Sequence, residues 1–400
     1  MVKGKCWKAS SSIFIKIMKK IMIMAGEVSG DMHGAKLVAS LKEKMLDCTF
    51  FGLGGELMRA EGVETFYDVK ELAAIGFTEV ISRIGFFKKV FFEMLDKAEE
   101  ERPDMVVFID YPGFNLRLAE RLHDLGIKTV HYICPQVWAW NQKRIPKIAK
   151  IIDLLITIFP FEKDLFKEQS DLQVEFAGHP LVDKAYEAKM LPVLSLPWHG
   201  AKQKISILPG SRRKEIALIL KPMLKACVLI EKQFPDAHFI VAAATKTAEK
   251  QILEVMQKIE LPKNINVIID NTREVLRQAD ASFTTSGTAT LETSLMECPM
   301  VVVYKTSWLT YLIGRMLIRI NHIGMVNIVA DKTVCPELIQ HNATPKKLAD
   351  TLRPLLTNTE QRKKMQSDIL DVNQKLGHGN ADENAAEFIF DFLNNVREEE

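Results

Sequence analysis

Three features of the sequence predict an α/β fold with two Rossmann-like domains. Short apolar runs alternate with amphipathic helical patterns along almost all of the 400 residues, as in parallel α/β proteins. The alternation forms two series, separated by a segment with two prolines, a glycine and no clear period. The length suits two or three domains. We therefore expect two such domains that face each other across a cleft, with ligands beyond the carboxyl ends of the strands.

The candidate strands of the first series are KKIMIMAG, CTFFGLGG, DMVVFID, TVHYIC and LLITIFP. Those of the second are KISILPGS, HFIVAAA, NVIID, ASFTTSG and MVVVYK. The helical pattern FNLRLAERLHDLG ends at a C-cap glycine, Gly126, and the chain closes with the helical pattern ADENAAEFIFDFLNNV. We predict a basic tail over 1–18, an N-terminal domain over 19–183, a linker over 184–203 and a C-terminal domain over 204–400.

Composition indicates a soluble globular protein: 47% of the residues are hydrophobic and 26% are charged. A net charge of +2 argues against a dedicated nucleic-acid binder. The six scattered cysteines form no C-x-x-C pair, which favours reduced thiols in the cytoplasm, and the nine histidines include no H-E-x-x-H, so neither a metal nor a cofactor is predicted. No apolar run reaches the ~18–20 residues of a transmembrane helix, and the lysine-rich start is interpreted as a tail or an upstream start codon.

The segment IMIMAGEVSGDMHGAKL predicts a ligand-binding turn between a strand and a helix. Gly26, Gly30 and Gly34 are four residues apart, unlike the dinucleotide fingerprint, and no Walker lysine follows them. Glu27 and Asp31 would repel a phosphate but accept hydrogen bonds from sugar hydroxyls. The pattern favours a polyol site.

The segment LPGSRRKEI predicts a diphosphate site. Gly210 and Ser211 form a tight turn after a strand, and Arg212 stands where a helix begins. Free N–H groups, the helix dipole and an arginine together suit an anion. The alternative is a solvated basic turn.

A second helix start follows in SGTATLE. Ser286, Gly287 and Thr288 offer small donors to a phosphate, and Glu292 can accept hydrogen bonds from both hydroxyls of a ribose. The alternative for Glu292 is a solvated helix residue.

Asp110 ends the strongly apolar strand DMVVFID. Poor solvation there should raise its pKa toward the range of a general base. Alternatively, Asp110 only shapes the turn before Pro112.

Aromatic and amide side chains cluster in HYICPQVWAWNQKR, where Trp138 lies close to Gln136 and Asn141. Such groups are common around sugars, although paired tryptophans also build cores. His179 belongs to the last turn before the linker, so we expect it near the cleft.

An apolar stretch over 74–95 carries more aromatic residues than the core-facing stripe of a surface helix, together with Arg83, Lys88 and Lys89. Its candidate membrane or acyl-chain contacts are Ile75, Phe77, Val80, Ile84, Phe86, Phe87 and Phe91. The alternative is a buried core helix, and residues 308–319 pose the same choice.

A family resemblance rests on several ordered segments, which are AGEVSGDMHGAKL, FGLGGELMRAEG, FIDYPGFNLRLAE, HYICPQVWAWNQKRI, FPFEKDLF, FAGHPLVD, LPGSRRKEI and SGTATLE. Together they resemble the lipid-A-disaccharide synthases, inverting and metal-independent glycosyltransferases of the GT-B fold, from about Lys19 to the end of the chain. SGTATLE also resembles the UDP-binding segment of the peptidoglycan glycosyltransferase that adds N-acetylglucosamine, which implies that Glu292 contacts the uridine ribose.

The resemblance implies transfer of a diacylated glucosamine from UDP to the 6-hydroxyl of diacylglucosamine 1-phosphate, at the cytoplasmic side of the inner membrane of a Gram-negative-type bacterium. Asp110 is then the expected base, with Glu27 and Asp31 as the next candidates, and Arg212 and the helix start at Ser286 are expected to stabilise the departing UDP. The expected sugar contacts are Ser29, Gly30, Gln136, Trp138, Asn141 and His179.

This sequence departs from the family pattern at Val28, Cys134 and Gly113, where the family commonly has Ala, Ser and Asp. Gly113 removes a second carboxylate, which makes Asp110 the plainer base. Two alternatives stay open: another UDP-sugar transferase or epimerase of this fold, and a non-catalytic nucleotide-sugar or lipid-binding protein.

Overall fold

The computed structural model describes residues 18–73, 84–308, 311–312, 321–357 and 359–395. The predicted contacts Ile75, Phe77 and Val80, the tail before Met18, and residues 309–310 and 313–319 lie outside the described residues. The chain divides into two compact units. One comprises residues 1–135, 148–155 and 385–400, and the other comprises residues 136–147 and 156–384.

A seven-stranded sheet is built from the first half of the chain. Its strands are β1 Lys19–Ala25, β2 Cys48–Gly54, β3 Glu64–Asp68, β4 Met105–Ile109, β5 Lys128–Tyr132, β6 Leu154–Thr157 and β7 Gln173–Phe176. They lie in the order β3-β2-β1-β4-β5-β6-β7. The strand β1 pairs in parallel with both β2 and β4.

The helices of this half are α1 Val28–Lys44, α2 Glu56–Ala60, α3 Val69–Ala73, α4 Ile84–Glu101, α5 Pro112–Asp124, α6 Val137–Trp140, α7 Ile145–Ile148, α8 Pro160–Lys167 and α9 Leu181–Met190. A short 3-10 helix spans Gln142–Arg144. Residues 191–202 contain neither helix nor strand.

A six-stranded parallel sheet forms the second half. Its strands are β8 Gln203–Leu208, β9 Ala237–Ala243, β10 Ile265–Ile269, β11 Ala281–Thr285, β12 Met300–Tyr304 and β13 Glu337–Ile339, in the order β10-β9-β8-β11-β12-β13. Its helices are α10 Arg213–Glu231, α11 Lys246–Met256, α12 Thr272–Gln278, α13 Thr288–Leu295, α14 Met325–Ala330, α15 Pro345–Leu352, α16 Glu360–Lys375 and α17 Ala381–Asn395. Two further 3-10 helices span Gln340–Asn342 and Arg353–Leu356.

Both sheets have a topological switch point, where the order of the strands reverses. In the first sheet it lies between β1 and β4, with Ala25 opposite Ile109 at the carboxyl ends. In the second it lies between β8 and β11, with Leu208 opposite Thr284. Open parallel sheets bind ligands beyond such points. The fold therefore marks one binding position on each sheet.

The central strands supply the core because both of their faces are covered. All of β4 and the residues of β1 from Ile21 onward are buried. A parallel sheet with helices on both faces requires such continuous apolar strands. Gly26 follows β1 directly, and a Cβ there would lie 2.2 Å from the ring of Tyr111. Glycine thus lets the loop after β4 approach the loop after β1.

The predicted fold class, two Rossmann-like parallel-sheet domains, is confirmed. All ten predicted strands are present, and Gly126 follows the end of α5 with a φ of +77°. The sequence analysis missed three short strands, β3, β7 and β13. Each lies at the edge of its sheet, where one side lacks a neighbouring strand and an apolar run is not required.

Candidate active site

The switch point of the first sheet is lined by the two predicted polar turns. Glu27 is the N-cap of α1, directly after β1, and its Oε1 accepts a hydrogen bond of 2.6 Å from the exposed Ser29 hydroxyl. Gly30 is buried against Ala25. Asp110 follows β4, the strand beside β1. The polar turns after β1 and β4 are thus brought to one edge of the sheet.

Asp110 is held in an unusual backbone conformation. Its φ is +47° and that of Tyr111 is +49°, two consecutive left-handed residues that are not glycine. Buried Asn115 stabilises this turn, because its Nδ2 donates to the carbonyl oxygen of Asp110 over 2.8 Å. The amide N–H of Asp110 donates to Tyr132 O over 2.9 Å. Strained residues of this kind cluster at functional sites.

The environment of Asp110 raises its pKa above the ordinary 3.8. Burial of the carboxyl is the largest cause, and the negative charge of Glu27 adds to it. A backbone hydrogen bond from Tyr111 and the charge of His33 act in the opposite direction. The direction agrees with the expectation from the sequence, because a carboxyl at the end of a buried strand is poorly solvated.

Asp31 has a structural task in this turn. Its carboxylate accepts hydrogen bonds from the backbone N–H groups of Gly55, Leu57 and Met58, at 2.7, 3.1 and 3.0 Å. These groups belong to the start of α2, where N–H groups have no partner inside the helix. Asp31 is also only 4% exposed. Asp31 thus caps the start of α2, which is a structural role and not that of a base.

The switch point of the second sheet opens into a cavity of about 290 Å³. Every nucleotide-binding residue predicted from the sequence lines it, namely Gly210, Ser211, Arg212, Ser286, Gly287, Thr288 and Glu292. Helices α10 and α13 both begin at this cavity, with Arg212 and Gly287 as their N-caps. The structure thus brings the two separate sequence motifs into one site.

An arginine–carboxylate pair lies at the start of α10. Arg212 Nη1 is 3.0 Å from Glu215 Oε1, and the arginine side chain is 83% exposed. Gly210 has a φ of +97°, and a Cβ there would lie 2.7 Å from Glu215 Oε2. The absence of a side chain at position 210 therefore leaves room for the Glu215 carboxylate beside the turn.

A second pair connects α12 with α13. Arg273 Nη2 is 2.6 Å from Glu292 Oε1, and both side chains are partly exposed. The hydroxyl of Ser286, which also lines the cavity, donates to Ile323 O over 2.7 Å. Glu337 in turn accepts hydrogen bonds from the N–H groups of Ile323 and Gly324. The lining residue Ser286 is thus hydrogen-bonded to a backbone segment that Glu337 holds in turn.

Trp138 and His179 meet in an aromatic cluster of the second unit. Both rings contact Phe159, with centroid distances of 6.5 and 5.0 Å. The Trp138 indole donates to buried Glu162 over 3.0 Å, and His179 Nδ1 accepts from the Leu181 N–H over 3.1 Å. Both side chains are buried, whereas Gln136 is exposed and Asn141 is half-buried.

Helix α4 contains the described part of the predicted membrane stretch, and its faces differ. Val90, Met94 and Ala98 are buried. Ile84 and Phe92, which share one face, are 49% and 57% exposed. Phe86 packs against Tyr67 and against Phe87, and Phe91 packs against Phe114. Among the described residues, no helix combines the length and apolarity that crossing a bilayer requires.

The sequence analysis missed several residues of these two sites. His33, Tyr111 and Asn115 surround Asp110, and Glu215 and Arg273 pair with cavity residues. The sequence does carry a signal for Arg273, because this residue stands four positions after the end of β10 and ligands bind beyond strand ends in this fold. Its partner could not be found from the sequence, because Glu292 lies on another helix.

Comparison with known proteins identifies the family of this chain. The family model described as Lipid-A-disaccharide synthetase matches residues 21–389. The lipid-A-disaccharide synthase of Syntrophus aciditrophicus is 38% identical, with 92% of this chain and 96% of the relative covered. That of Geobacter sulfurreducens is 37% identical, with 94% and 97% covered.

Solved structures share the fold at low sequence identity. The UDP-GlcNAc 2-epimerase of Neisseria meningitidis, bound to UDP-GlcNAc, superposes with a TM-score of 0.62 at 12% identity, covering 94% of this chain and 100% of that one. The calicheamicin glycosyltransferase CalG4 gives 0.58 at 16% identity, covering 95% and 99%. Given the match of family and fold, this chain belongs to the lipid-A-disaccharide synthase family of glycosyltransferases.

Proposed function

We propose that this protein transfers 2,3-diacylglucosamine from UDP to the 6-hydroxyl of 2,3-diacylglucosamine 1-phosphate. The products are the β-1,6 disaccharide 1-phosphate and UDP. The observation that carries the proposal is that the residues suited to each half of the reaction lie at the switch points of the two sheets.

The nucleotide belongs in the cavity at the second switch point. The N-termini of α10 and α13 direct free N–H groups and positive dipole ends at it. The diphosphate interacts there with Gly210, Ser211, Arg212 and the Ser286–Thr288 turn. Arg212 changes partner from Glu215 to the diphosphate. Glu292 accepts hydrogen bonds from the ribose hydroxyls.

Asp110 is the general base in this proposal. Its carboxylate takes the proton of the acceptor 6-hydroxyl while that oxygen attacks the anomeric carbon. The bond from the anomeric carbon to the phosphate oxygen breaks, and UDP leaves with the electron pair. Attack from the opposite side inverts the anomeric centre. Because the pKa of Asp110 is raised, the carboxylate is a stronger base than an ordinary aspartate.

The acceptor sugar is assigned to the polar side chains that remain accessible. In the first unit, Glu27 and Ser29 offer a carboxylate and a hydroxyl at the turn after β1, next to buried Gly30. Trp138 and His179 are engaged inside the aromatic cluster. We therefore do not assign these two rings direct hydrogen bonds to the sugar.

The acyl chains of both substrates connect the enzyme with a membrane surface. Ile84, Lys88 and Phe92 follow one another at four-residue spacing on α4, and all three are exposed. An apolar surface beside lysines suits the interface of an anionic bilayer. We propose peripheral binding at the cytoplasmic face of the inner membrane through this side of α4.

The direct test is incubation of the enzyme with UDP-2,3-diacylglucosamine and 2,3-diacylglucosamine 1-phosphate, followed by mass spectrometry. The expected products are the disaccharide 1-phosphate and an equal amount of UDP. Three control reactions omit the acceptor, replace the donor with UDP-GlcNAc, or use Asp110→Asn. Each is expected to give little product.

The controls also separate the alternatives. A UDP-sugar epimerase would change the donor stereochemistry without an acceptor. A transferase of another UDP-sugar would accept the donor without acyl chains. A binding protein would retain UDP-sugar and release no UDP. Any of these results in place of the disaccharide would contradict the proposal.

A further inference from the structure

The nucleotide cavity contains a carboxylate that is already bound by a second side chain. Glu292 lines the cavity from α13, and Arg273 Nη2 donates to its Oε1 over 2.6 Å. Arg273 stands next to Thr272, another lining residue, in the first turn of α12. The pair therefore connects the two helices at the cavity wall.

Helix α12 holds Arg273 in a fixed position. The buried carboxylate of Glu274 accepts a hydrogen bond of 3.2 Å from Leu194 N. Arg277 Nη1 donates to Leu191 O over 2.9 Å and to Ala188 O over 3.3 Å. These bonds join α12 to α9 and to the segment after it. The guanidinium of Arg273 thus extends from an anchored backbone.

The pairing leaves Glu292 with one oxygen available. Arg273 contacts Oε1, and the Glu292 side chain keeps 23% of its surface exposed. An ionised carboxylate is only an acceptor, and its lone pairs suit two neighbouring hydroxyls. A charge-assisted contact to Oε1 removes the rotational freedom that a ligand would otherwise have to restrict. The free oxygen is therefore presented in one orientation.

We propose that Arg273 is a positioning residue, which orients Glu292 for the two hydroxyls of the nucleotide ribose. This inference rests on the proposed nucleotide site. The preference for a ribonucleotide over a nucleotide without ribose hydroxyls then depends on a residue that does not contact the ligand. The competing explanation is that the pair only ties α12 to α13.

The experiment compares the affinities of UDP and 2′,3′-dideoxy-UDP by calorimetry. Hydrogen bonds to a charged acceptor correspond to a preference of about 10- to 100-fold for UDP in the wild type. Arg273→Met keeps a similar length without a charge. We expect its UDP affinity to fall about tenfold and its dideoxy-UDP affinity to stay nearly constant, so that the preference is largely lost.

Two further variants make the result specific. Arg273→Lys retains the charge and should recover part of the preference. Arg362→Met breaks another pair between elements of the same unit, 3.5 Å from Asp280, and should leave the preference unchanged. Both nucleotides are measured on the same preparation of each variant. Partial unfolding then lowers the number of binding sites but leaves the ratio of the two affinities unchanged. If Arg273→Met does not fold, Arg273→Gln has the same expected outcome.

The outcomes separate this inference from the proposed function. If Glu292→Gln loses the preference and Arg273→Met retains it, the positioning role is wrong and the nucleotide site stands. If the wild type binds both nucleotides equally or binds neither, the ribose role of Glu292 fails, and the positioning role fails with it.

Discussion

The backbone at Asp110 combines strain with poor solvation. Asp110 and Tyr111 both have positive φ, and such residues cost of order 1–3 kcal/mol each. Burial and the neighbouring Glu27 also disfavour the charged form of the carboxyl. A residue retained only for stability would not combine these costs. The combination is typical of a functional residue.

Asp110→Asn should separate catalysis from stability. Asparagine tolerates positive φ, so the turn is preserved, but it cannot accept the proton. We expect turnover to fall by ~10²–10⁴ while UDP affinity changes little. The wild-type rate should fall on acidification through the raised pKa of Asp110, beginning above the ordinary 3.8, and the variant should lack this ionisation.

The melting temperature provides the control for this variant. The folded-state pKa of Asp110 exceeds its unfolded value, so the ionised carboxyl costs stability at neutral pH, and this cost disappears as the pH falls through the folded-state value. Asparagine removes the cost, and Asp110→Asn should melt no lower than the wild type. A variant with more than about a tenth of wild-type turnover would move the role of base to Glu27.

Arg212 offers a matched test of the diphosphate site, because Arg213 stands beside it. Arg212→Ala removes a charge-assisted contact and should weaken UDP binding by about 1.5–3 kcal/mol in calorimetry. Arg213→Ala makes the same change of charge in the first residue of α10 and should have a much smaller effect. If both variants lost the same UDP affinity, the arginines would act only by long-range attraction, and Arg212 would not be a residue of the diphosphate site.

At the scale of single elements, α4 shows why composition did not decide between membrane and core. The helix has one buried row, Val90, Met94 and Ala98, and one exposed row, Ile84, Lys88 and Phe92. Phe91 packs against Phe114 of α5. Replacement of Phe91 would therefore disturb packing as well as any lipid contact.

Replacement of the exposed apolar pair, Ile84→Ser with Phe92→Ser, tests the membrane surface of α4. Both side chains are about half exposed, so we expect the melting temperature to change little. Binding to anionic lipid vesicles should fall in a co-sedimentation assay, because the buried apolar area decreases. Val90→Ser is the contrasting variant and should lower the melting temperature. Undiminished vesicle binding by the double variant would contradict the membrane role of α4.

At the scale of the whole molecule, fully buried His131 gives the fold a sensitivity to acid. It lies in β5 opposite Phe108, and burial lowers its pKa from 6.5 to about 4. Its neutral form is therefore favoured in the folded state. Between pH 6.5 and pH 4 the unfolded state binds a proton at His131 that the folded state does not. The free energy of unfolding is therefore highest above pH 6.5 and decreases as the pH falls toward 4.

The expected loss at His131 is about 3 kcal/mol at pH 4 and below. Denaturant unfolding between pH 7 and 4 should show it as the difference between the wild type and His131→Leu, which lacks the titrating group. His378→Gln, at an exposed position, should follow the wild type. Parallel stability curves for wild type and His131→Leu would refute the contribution of His131.

The sequence by itself determined the fold class and the positions of the chemistry along the chain. The apolar runs predicted every central strand, because strands buried on both faces need continuous apolar residues. The strand-end rule selected Asp110, Arg212 and Glu292. These features are local, so a single stretch of sequence carries them.

The tertiary structure decided which side chains meet. The Asp31 carboxylate accepts hydrogen bonds from N–H groups of α2. The Trp138 indole donates to Glu162, and Arg273 donates to Glu292. The tertiary structure also decided that the edge segments β3, β7 and β13 are strands. They form by pairing with a neighbouring strand, and their own apolar pattern does not predict it. The physical reason is the same in both cases. Hydrogen bonds, ion pairs and burial depend on partners distant in sequence, and a local pattern contains no information about them.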